Sequence, residues 1–336
     1  MLVVMRQDAA KSDVDHVIAS IEGVGLQAHV SEGKFRTIIG AVGDRELIVD
    51  MPFEAMPGVE KAIPISKPFK FVASEFKPGG TVVDIGGVLV GRSHMTFIAG
   101  PCSIESDTQA IESAIAVKAA GAQLLRGGAF KPRTSPYSFQ GLGRPGLELL
   151  AECRRVTGLP VVTEVIDARD IDPVSEVADC LQIGARNMQN FLLLSEVGRQ
   201  DKPVLLKRGF SNTVEELLMS AEYVAKGGNA DIVFCERGIR TFEKTTRATL
   251  DVAAISVLRK QSHLPVIVDP SHAAGRADLV LPLALAGVAA GADGVMVEVH
   301  PDPSSALSDG EQALRLDELK DFIDQVRAVA VAVGSI

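Results

Sequence analysis

Cys102, His272, Glu298 and Asp309 are the residues of this chain whose types best suit a metal ion. Cys102 ends the run F-I-A-G-P-C, His272 closes V-I-V-D-P-S-H and Glu298 closes V-M-V-E. Asp309 lies just beyond, in S-A-L-S-D-G-E-Q-A-L. A thiolate, an imidazole and carboxylates together suit a borderline divalent ion such as Mn, Fe, Co or Zn. A thiol gives up its proton readily to such an ion, and mixed sites can keep one position open for substrate. Taken singly, each residue reads as a buried structural cysteine, a hydrogen-bonded histidine or a solvated carboxylate. Their shared placement at the ends of apolar runs argues for one site.

A second set is cationic. Arg126, Arg186, Lys207 and Arg237 close the runs Q-L-L-R, L-Q-I-G-A-R, V-L-L-K and V-F-C-E-R, and Lys131 follows soon after Arg126. Charges set directly behind apolar runs are poor candidates for ordinary surface charge. The guanidinium fork grips carboxylate or phosphate with paired hydrogen bonds. Five cations around one mouth would repel one another by several kcal/mol unless an anion fills the space. Only Glu164 and Glu236 lie near enough in the pattern to neutralise them, so a ligand of two or three negative charges, carrying phosphate and carboxylate, is expected. Lys131-Pro132-Arg133-Thr134-Ser135 adds charge and hydroxyls for a second phosphate.

These residues need a scaffold that brings distant run ends together. From Thr96 to Val299 short apolar runs alternate with amphipathic stretches, the pattern of a parallel sheet with helices outside. A closed (β/α)8 barrel takes roughly 250 residues, which residues 81–336 supply, and its chemistry sits at the carboxyl ends of the strands. Closure would place the first, seventh and eighth strands side by side, so Cys102, His272 and Glu298 could converge. T-V-V-D-I-G-G and V-L-V-G-R read as a hairpin plugging the barrel's bottom. Residues 1–66 read as a separate β-α-β-β-α-β unit of the ferredoxin-like kind, with a turn at Glu32-Gly33-Lys34. Its first helix has Ser12 as cap, its second spans D-R-E-L-I-V-D-M-P-F-E-A-M-P-G-V, and E-K-A-I-P-I is its last strand. Residues 67–80, rich in Pro and Lys, form the linker. Within the barrel the clearest helix is N-T-V-E-E-L-L-M-S-A-E-Y-V-A-K-G-G, with Asn212 capping and Glu215 three residues later.

Composition narrows the function. A net charge of −9, two Tyr and no Trp argue against nucleic acid. No apolar run reaches the roughly 18 residues of a membrane span. The start lacks the order of a signal peptide, so a cytoplasmic protein is expected. The four cysteines, Cys102, Cys153, Cys180 and Cys235, lie in apolar contexts and read as thiols rather than disulfides. The G-x-G-x-x-G match at Gly141–Gly146 follows a loop, not a strand, and fails as a dinucleotide fingerprint. His29, in A-H-V-S-E, reads as a half-buried strand histidine.

The set A-G-P-C-S, L-R-G-G-A-F-K-P-R-T-S-P-Y-S-F-Q-G, Q-I-G-A-R-N-M-Q-N, L-K-R-G, C-E-R-G and D-P-S-H resembles the 3-deoxy-D-arabino-heptulosonate 7-phosphate (DAHP) synthases, in particular the type Iβ branch with an N-terminal ferredoxin-like domain. The sister octulosonate synthases, which use arabinose 5-phosphate, share the barrel but have an A-N-R-S-S type of loop where this chain has Pro132-Arg133-Thr134-Ser135. The resemblance implies a metal on Cys102, His272, Glu298 and Asp309. It places phosphoenolpyruvate on Arg126, Lys131, Glu164, Arg186, Lys207 and Arg237. Erythrose 4-phosphate falls on Arg133, Thr134 and Ser135, with Asn187 and Asp269 near the sugar. On this reading a divalent ion supplies Lewis acidity at the aldehyde oxygen, Lys131 protonates it and Glu164 positions the attacking water. The resemblance further implies a homotetramer and an aromatic effector, tyrosine or phenylalanine, near His29 and Ser31.

Overall fold

The computed structural model describes the chain apart from residues 33–36, 44–46, 49–50, 64–67 and 134. It divides into two compact units, Met1–Lys70 and Phe71–Ile336.

In the first unit, strands β1 (Leu2–Met5), β2 (Gln27–Glu32), β3 (Thr37–Val42) and β4 (Val59–Ile63) form one sheet in the order β2-β3-β1-β4. Each neighbouring pair is antiparallel. Helix α1 (Lys11–Gly23) buries Val17 and Ile21 in a core that also holds Val3, Met5 and Ile39. This is the expected ferredoxin-like arrangement, with two differences of detail. Ser12 is not the cap: α1 begins at Lys11 with Ala10 in the cap position, two residues earlier, and the Asp13 carboxylate accepts the Ala10 N–H at 3.1 Å. A carboxylate in the first turn also faces the positive end of the helix dipole, which a hydroxyl does not exploit. Of the expected second helix, residues 47–48 are helical and Phe53–Ala55 form a 3-10 turn. Its remaining masked positions, the turn at Gly33-Lys34 and the Pro64-Ile65 end of the last strand lie outside the described residues.

In the second unit, β5 (Val83–Ile85) and β6 (Val88–Val90) form an antiparallel hairpin. Eight parallel strands follow: β7 (Thr96–Gly100), β8 (Leu124–Arg126), β9 (Val161–Glu164), β10 (Cys180–Ile183), β11 (Val204–Lys207), β12 (Ile232–Glu236), β13 (Val266–Val268) and β14 (Gly294–His300). They pair in sequence order, and the β13–β14 and β14–β7 ladders close the barrel. The principal helices are α2 (Asp107–Ala120), α3 (Arg144–Thr157), α4 (Ile171–Val177), α5 (Phe191–Val197), α6 (Val214–Lys226), α7 (Val252–Gln261), α8 (Pro270–Ala274), α9 (Val280–Ala289) and α10 (Leu319–Ala332). The capping box of α6 sits one residue later than the sequence suggested. Thr213 Oγ1 accepts the Glu216 N–H and Glu216 Oε2 accepts the Thr213 N–H, at 3.1 and 2.7 Å. Arg208 Nε donates to the Asn212 carbonyl at 2.9 Å, which ties Asn212 into the preceding loop.

Strand alternation explains how an apolar barrel acquires a charged mouth. Ile98, Leu124, Val162, Cys180, Leu205, Cys235, Ile267 and Met296 form one buried cluster with Val83, Ile85 and Val90 of the hairpin, which plugs the floor as expected. Side chains repeat every second residue along a strand. Two residues beyond each of these floor positions stand Gly100, Arg126, Glu164, Gln182, Lys207, Arg237, Asp269 and Glu298. One period of two therefore sets an apolar layer below and a charged layer above it.

Candidate active site

The charged layer is tightly paired. Arg126 Nη1 donates to Glu298 Oε1 at 2.6 Å, and Lys207 Nζ to Asp269 Oδ2 at 2.6 Å, all four side chains almost wholly buried. The expectation that the strand-end cations lack carboxylate partners is therefore corrected for Arg126 and Lys207. Their partners come from strands two places away in the closed barrel, a proximity that spacing along the chain does not display. Between Arg126 and Glu298 stands Gly100, which has no side chain to separate them. Glu236 is likewise taken, by Arg208 at 2.9 Å.

The metal-capable residues do converge. One donor atom from each of Cys102, His272, Glu298 and Asp309 lies within 4.8 Å of all the others. β7 stops at Gly100, so Cys102 stands in the loop just past the strand, where its Sγ is 3.3 Å from Asp309 Oδ2. His272 Nδ1 meets Asp269 Oδ2 at 2.7 Å, and Asp269 Oδ1 accepts the His272 backbone N–H. With Nδ1–H held by a carboxylate, the lone pair of Nε2 points into the cluster, 3.4 Å from Glu298 Oε1. Asp309 sits in the left-handed region (φ 54°), which aspartate tolerates. A Cβ on the next residue, Gly310, would come within 2.1 Å of the Pro303 carbonyl. That loop is pinned to the Cys102 loop by Ser103 Oγ against Ser308 Oγ at 2.6 Å. The Glu105 carboxylate also accepts the Leu307 N–H.

The protonation pattern suits a cation. Burial, then Glu298, pushes the Cys102 thiol up to about 11 against the pull of Lys131 and Arg126. Burial opposes ionisation of Glu298 and Asp309, but the cations around them, Arg126 and Lys131 for Glu298 and Arg247 and Lys131 for Asp309, pull the other way, and both carboxyls fall below their ordinary range. Burial lowers His272, favouring the neutral imidazole that ligates. Two carboxylates, a neutral imidazole and a thiol within reach of one point form a donor set that fits a divalent ion.

Beside this cluster opens a cavity of about 260 Å³. Arg126, Lys131, Glu164, Arg186, Lys207 and Arg237 all line it, as do Arg133, Ser135, His272 and Asp309. Lys131 Nζ reaches Cys102 Sγ at 3.1 Å. Its fold-back needs Gly128, where a Cβ would stand 2.8 Å from the lysine Cδ. Burial disfavours the Lys131 ammonium, yet the groups around it, the Cys102 sulfur and the carboxylates of Glu164 and Glu298, hold its pKa above the ordinary value. A Cβ on Gly184 would meet the Glu164 carboxylate at 1.9 Å, so Q-I-G-A-R requires its glycine. The glycines of the rejected dinucleotide match have a packing role: a Cβ on Gly141 would lie 2.2 Å from the Ala129 carbonyl.

Several expected residues stand elsewhere. Asp269 is fully buried, engaged by His272 and Lys207, and does not line the cavity. Asn187 is half-buried, its amide bonded to the Ile166 carbonyl and to Asn190. Thr134 lies outside the described residues. In the other unit His29 and Ser31 lie two residues apart on edge strand β2, both exposed, so His29 is not the half-buried residue expected. Four residues at the site were not anticipated. Gln182 lines the cavity, and as a polar residue two after Cys180 in an apolar strand it was detectable. Phe210 carries the guanidinium carbons of Arg186, Arg237 and Arg240 at 5.3, 4.8 and 4.9 Å from its ring centroid. Arg247 and Gln312 reach the two carboxylates of the cluster from loops with no distinguishing pattern.

A closed parallel barrel with a metal-capable cluster beside a cationic cavity defines a class: barrel enzymes that act on anionic, multiply charged substrates. Within that class the chain belongs to the DAHP synthetase I family, whose sequence model matches residues 70–334, while the DAHP synthase ferredoxin-like domain matches residues 1–67. It is 51% identical over 334 residues to a phospho-2-dehydro-3-deoxyheptonate aldolase of Thermotoga maritima, covering 99% of both chains. A 2-dehydro-3-deoxyphosphooctonate aldolase of Magnetococcus marinus is 35% identical over 253 residues, 70% of this chain and 87% of its own. Among solved structures, a Thermotoga maritima DAHP synthase superposes with a TM-score of 0.79 at 49% identity, covering 99% of this chain and 98% of that one. A truncated form of the Thermotoga maritima synthase covers 79% of this chain and 98% of its own, with a TM-score of 0.74 at 51% identity. The resemblance read from the motifs thus holds over both units, and the octonate likeness is more distant and partial.

Proposed function

We propose that this chain condenses phosphoenolpyruvate with D-erythrose 4-phosphate and water, giving 3-deoxy-D-arabino-heptulosonate 7-phosphate and phosphate, the first step of the shikimate pathway to aromatic amino acids. The observation that carries this reading is the single cavity that gathers Arg126, Lys131, Arg186, Lys207 and Arg237 beside the four-donor cluster. The full-length likeness to a heptonate aldolase supports it.

Cys102, His272, Glu298 and Asp309 would hold one divalent ion, of the Mn, Fe, Co or Zn kind. When bound, it supplies Lewis acidity for the carbonyl of the aldehyde. Arg186, Lys207 and Arg237, with Arg126 behind them, bind the carboxylate and phosphate of phosphoenolpyruvate and orient its C3. Arg133, Ser135 and Thr134 take the phosphate of the aldehyde. C3 of the enol phosphate attacks the aldehyde carbon, and Lys131 gives its proton to the resulting alkoxide. Glu164, with Gln182 beside it, positions the water that adds to C2, whose released proton restores Lys131. The tetrahedral C2 then expels phosphate by C–O cleavage as its hydroxyl proton passes to the leaving group. Turnover of phosphoenolpyruvate with erythrose 4-phosphate should disappear on rigorous chelation and return with a divalent metal. Full activity in the metal-free chain would refute the ion's role, and preferred turnover of arabinose 5-phosphate would favour the octulosonate reaction instead.

For regulation, the proposal is that residues 1–66 sense tyrosine or phenylalanine around His29 and Ser31, two exposed neighbours on one strand. Tyrosine should inhibit the intact chain and have no effect once residues 1–66 are deleted; an unchanged response would contradict this. A homotetramer is proposed with it, supported by the exposed apolar side chains of Phe191, Leu192 and Tyr223. Four free cysteines, the candidate ligand Cys102 among them, favour a reducing, cytoplasmic setting. Among the described residues no helix is long and apolar enough to cross a membrane.

A further inference from the structure

The two carboxylates of the metal-capable cluster are joined behind the donor atoms by a pair of residues that touch neither the thiol nor the imidazole. Gln312 Nε2 donates to Glu298 Oε2 at 2.7 Å, and Gln312 Oε1 accepts from Arg247 Nη1 at 2.8 Å. The same Arg247 Nη1 stands 3.3 Å from Asp309 Oδ1. The chain Glu298–Gln312–Arg247–Asp309 therefore links a carboxylate on a barrel strand to a carboxylate on the loop beyond it. The sense of the amide is dictated by charge: flipped, Gln312 would set its oxygen against a carboxylate and its N–H against a guanidinium. Gln312 is 2% exposed and its bond to Glu298 is buried, while the bond to Arg247 is partly buried. Each carboxylate uses its other oxygen toward the cluster: Glu298 Oε1 faces His272 Nε2, and Asp309 Oδ2 faces Cys102 Sγ.

We propose that Gln312, with Arg247, is a positioning element for the metal: it fixes both carboxylate donors and so sets affinity for the divalent ion. This rests on the metal reading of the cluster. Losing the outer hydrogen bonds of a metal ligand weakens metal binding by about 10- to 100-fold. Two free rotors, one on a loop whose aspartate already holds a left-handed conformation, must otherwise be ordered by the ion itself.

The test is a competition titration of Co(II) against a chromophoric chelator, with the full chain and no substrate present. Gln312→Met keeps the volume and removes both hydrogen bonds; its dissociation constant should rise about 10- to 100-fold over wild type. Arg247→Leu, at a partly exposed position, should also weaken binding, and serves if Gln312→Met does not fold. A second readout separates positioning from bulk stability: the rise in melting temperature that saturating wild-type levels of Co(II) give should shrink in both variants. Wild-type affinity and an undiminished rise in both variants would overturn the inference alone. Failure of wild type to bind one Co(II) per chain would overturn the metal reading and this inference with it.

Discussion

The same barrel buries cysteines in two settings, and the difference shows what makes a site. Cys180 and Cys235 belong to the apolar layer near the floor, among Ile98, Leu205, Ile267 and Met296. Burial pushes both thiols far up, and they serve as small core side chains. Cys102 is also buried, and its thiol is raised too, to about 11. Around it, however, stand Lys131, Arg126, His272 and two carboxylates. Removal from water is common to all three. Cys235 too has charged neighbours, Lys207 and Asp269 among them; what sets Cys102 apart is an imidazole and two carboxylates with donor atoms within 4.8 Å of its Sγ.

The sharpest way to break that comparison is to exchange the outcomes. Cys102→Ala should abolish stoichiometric metal binding and cut turnover at least about 1,000-fold, the several kcal/mol that Lewis-acid assistance supplies, while circular dichroism shows the fold intact. Cys180→Ala should do the reverse, costing about 1–3 kcal/mol in denaturant unfolding with metal affinity unchanged. Loss of metal binding in Cys180→Ala, or its retention in Cys102→Ala, would erase the distinction. The paired layer comes next. Lys207→Met leaves Asp269 buried without its ammonium, and breaking such a pair costs about 3–5 kcal/mol. Thermal melting of this variant should show it, and Lys207→Arg should recover part of the loss.

Much of this contrast was legible in the sequence because a strand's period of two writes floor and mouth into adjacent positions. Glu164, Arg186, Lys207 and Arg237 could be named from run ends, and the thiol–imidazole–carboxylate set from donor chemistry. What could not be read was pairing across the barrel. Arg126 with Glu298 joins the second strand to the eighth across the β7–β14 ladder, and Lys207 with Asp269 reaches over the intervening β12, pairings that spacing along the chain does not show. Asp269 looked like a substrate residue and turned out to hold His272 in its tautomer. Gln312, Arg247 and Phe210 carry no periodicity at all; their roles come from loop geometry. At α6 the cap moved by a single residue, because Asn212 and Thr213 both fit the capping pattern, while at α1 it fell two residues early on Ala10, which has no capping side chain.

Smaller effects sharpen the account. Phe210→Leu removes the ring shared by three guanidiniums, and at about 1 kcal/mol of cation–π energy the KM for phosphoenolpyruvate should rise about fivefold with kcat nearly unchanged. An equal loss in kcat would place Phe210 in the chemical step. The smallest effect concerns His263, which ties the chain entering the barrel to its underside through Thr81 Oγ1 and the Phe71 carbonyl, at 2.8 and 2.7 Å. Burial lowers its pKa, so the fold holds it neutral and the unfolded chain binds the proton first. Its contribution is complete above about pH 6.5 and is lost as pH falls toward the lowered folded value. Unfolding free energy of His263→Gln should therefore fall less steeply with acid over that window than wild type; identical slopes would remove His263 from the pH response.

Anomalous diffraction from crystals soaked with Mn(II) and phosphoenolpyruvate tests the central claim most directly. One metal peak should lie among Cys102 Sγ, His272 Nε2, Glu298 and Asp309, with the ligand's phosphate and carboxylate against Arg186, Lys207 and Arg237. A metal peak elsewhere, or phosphoenolpyruvate bound away from those cations, would contradict it.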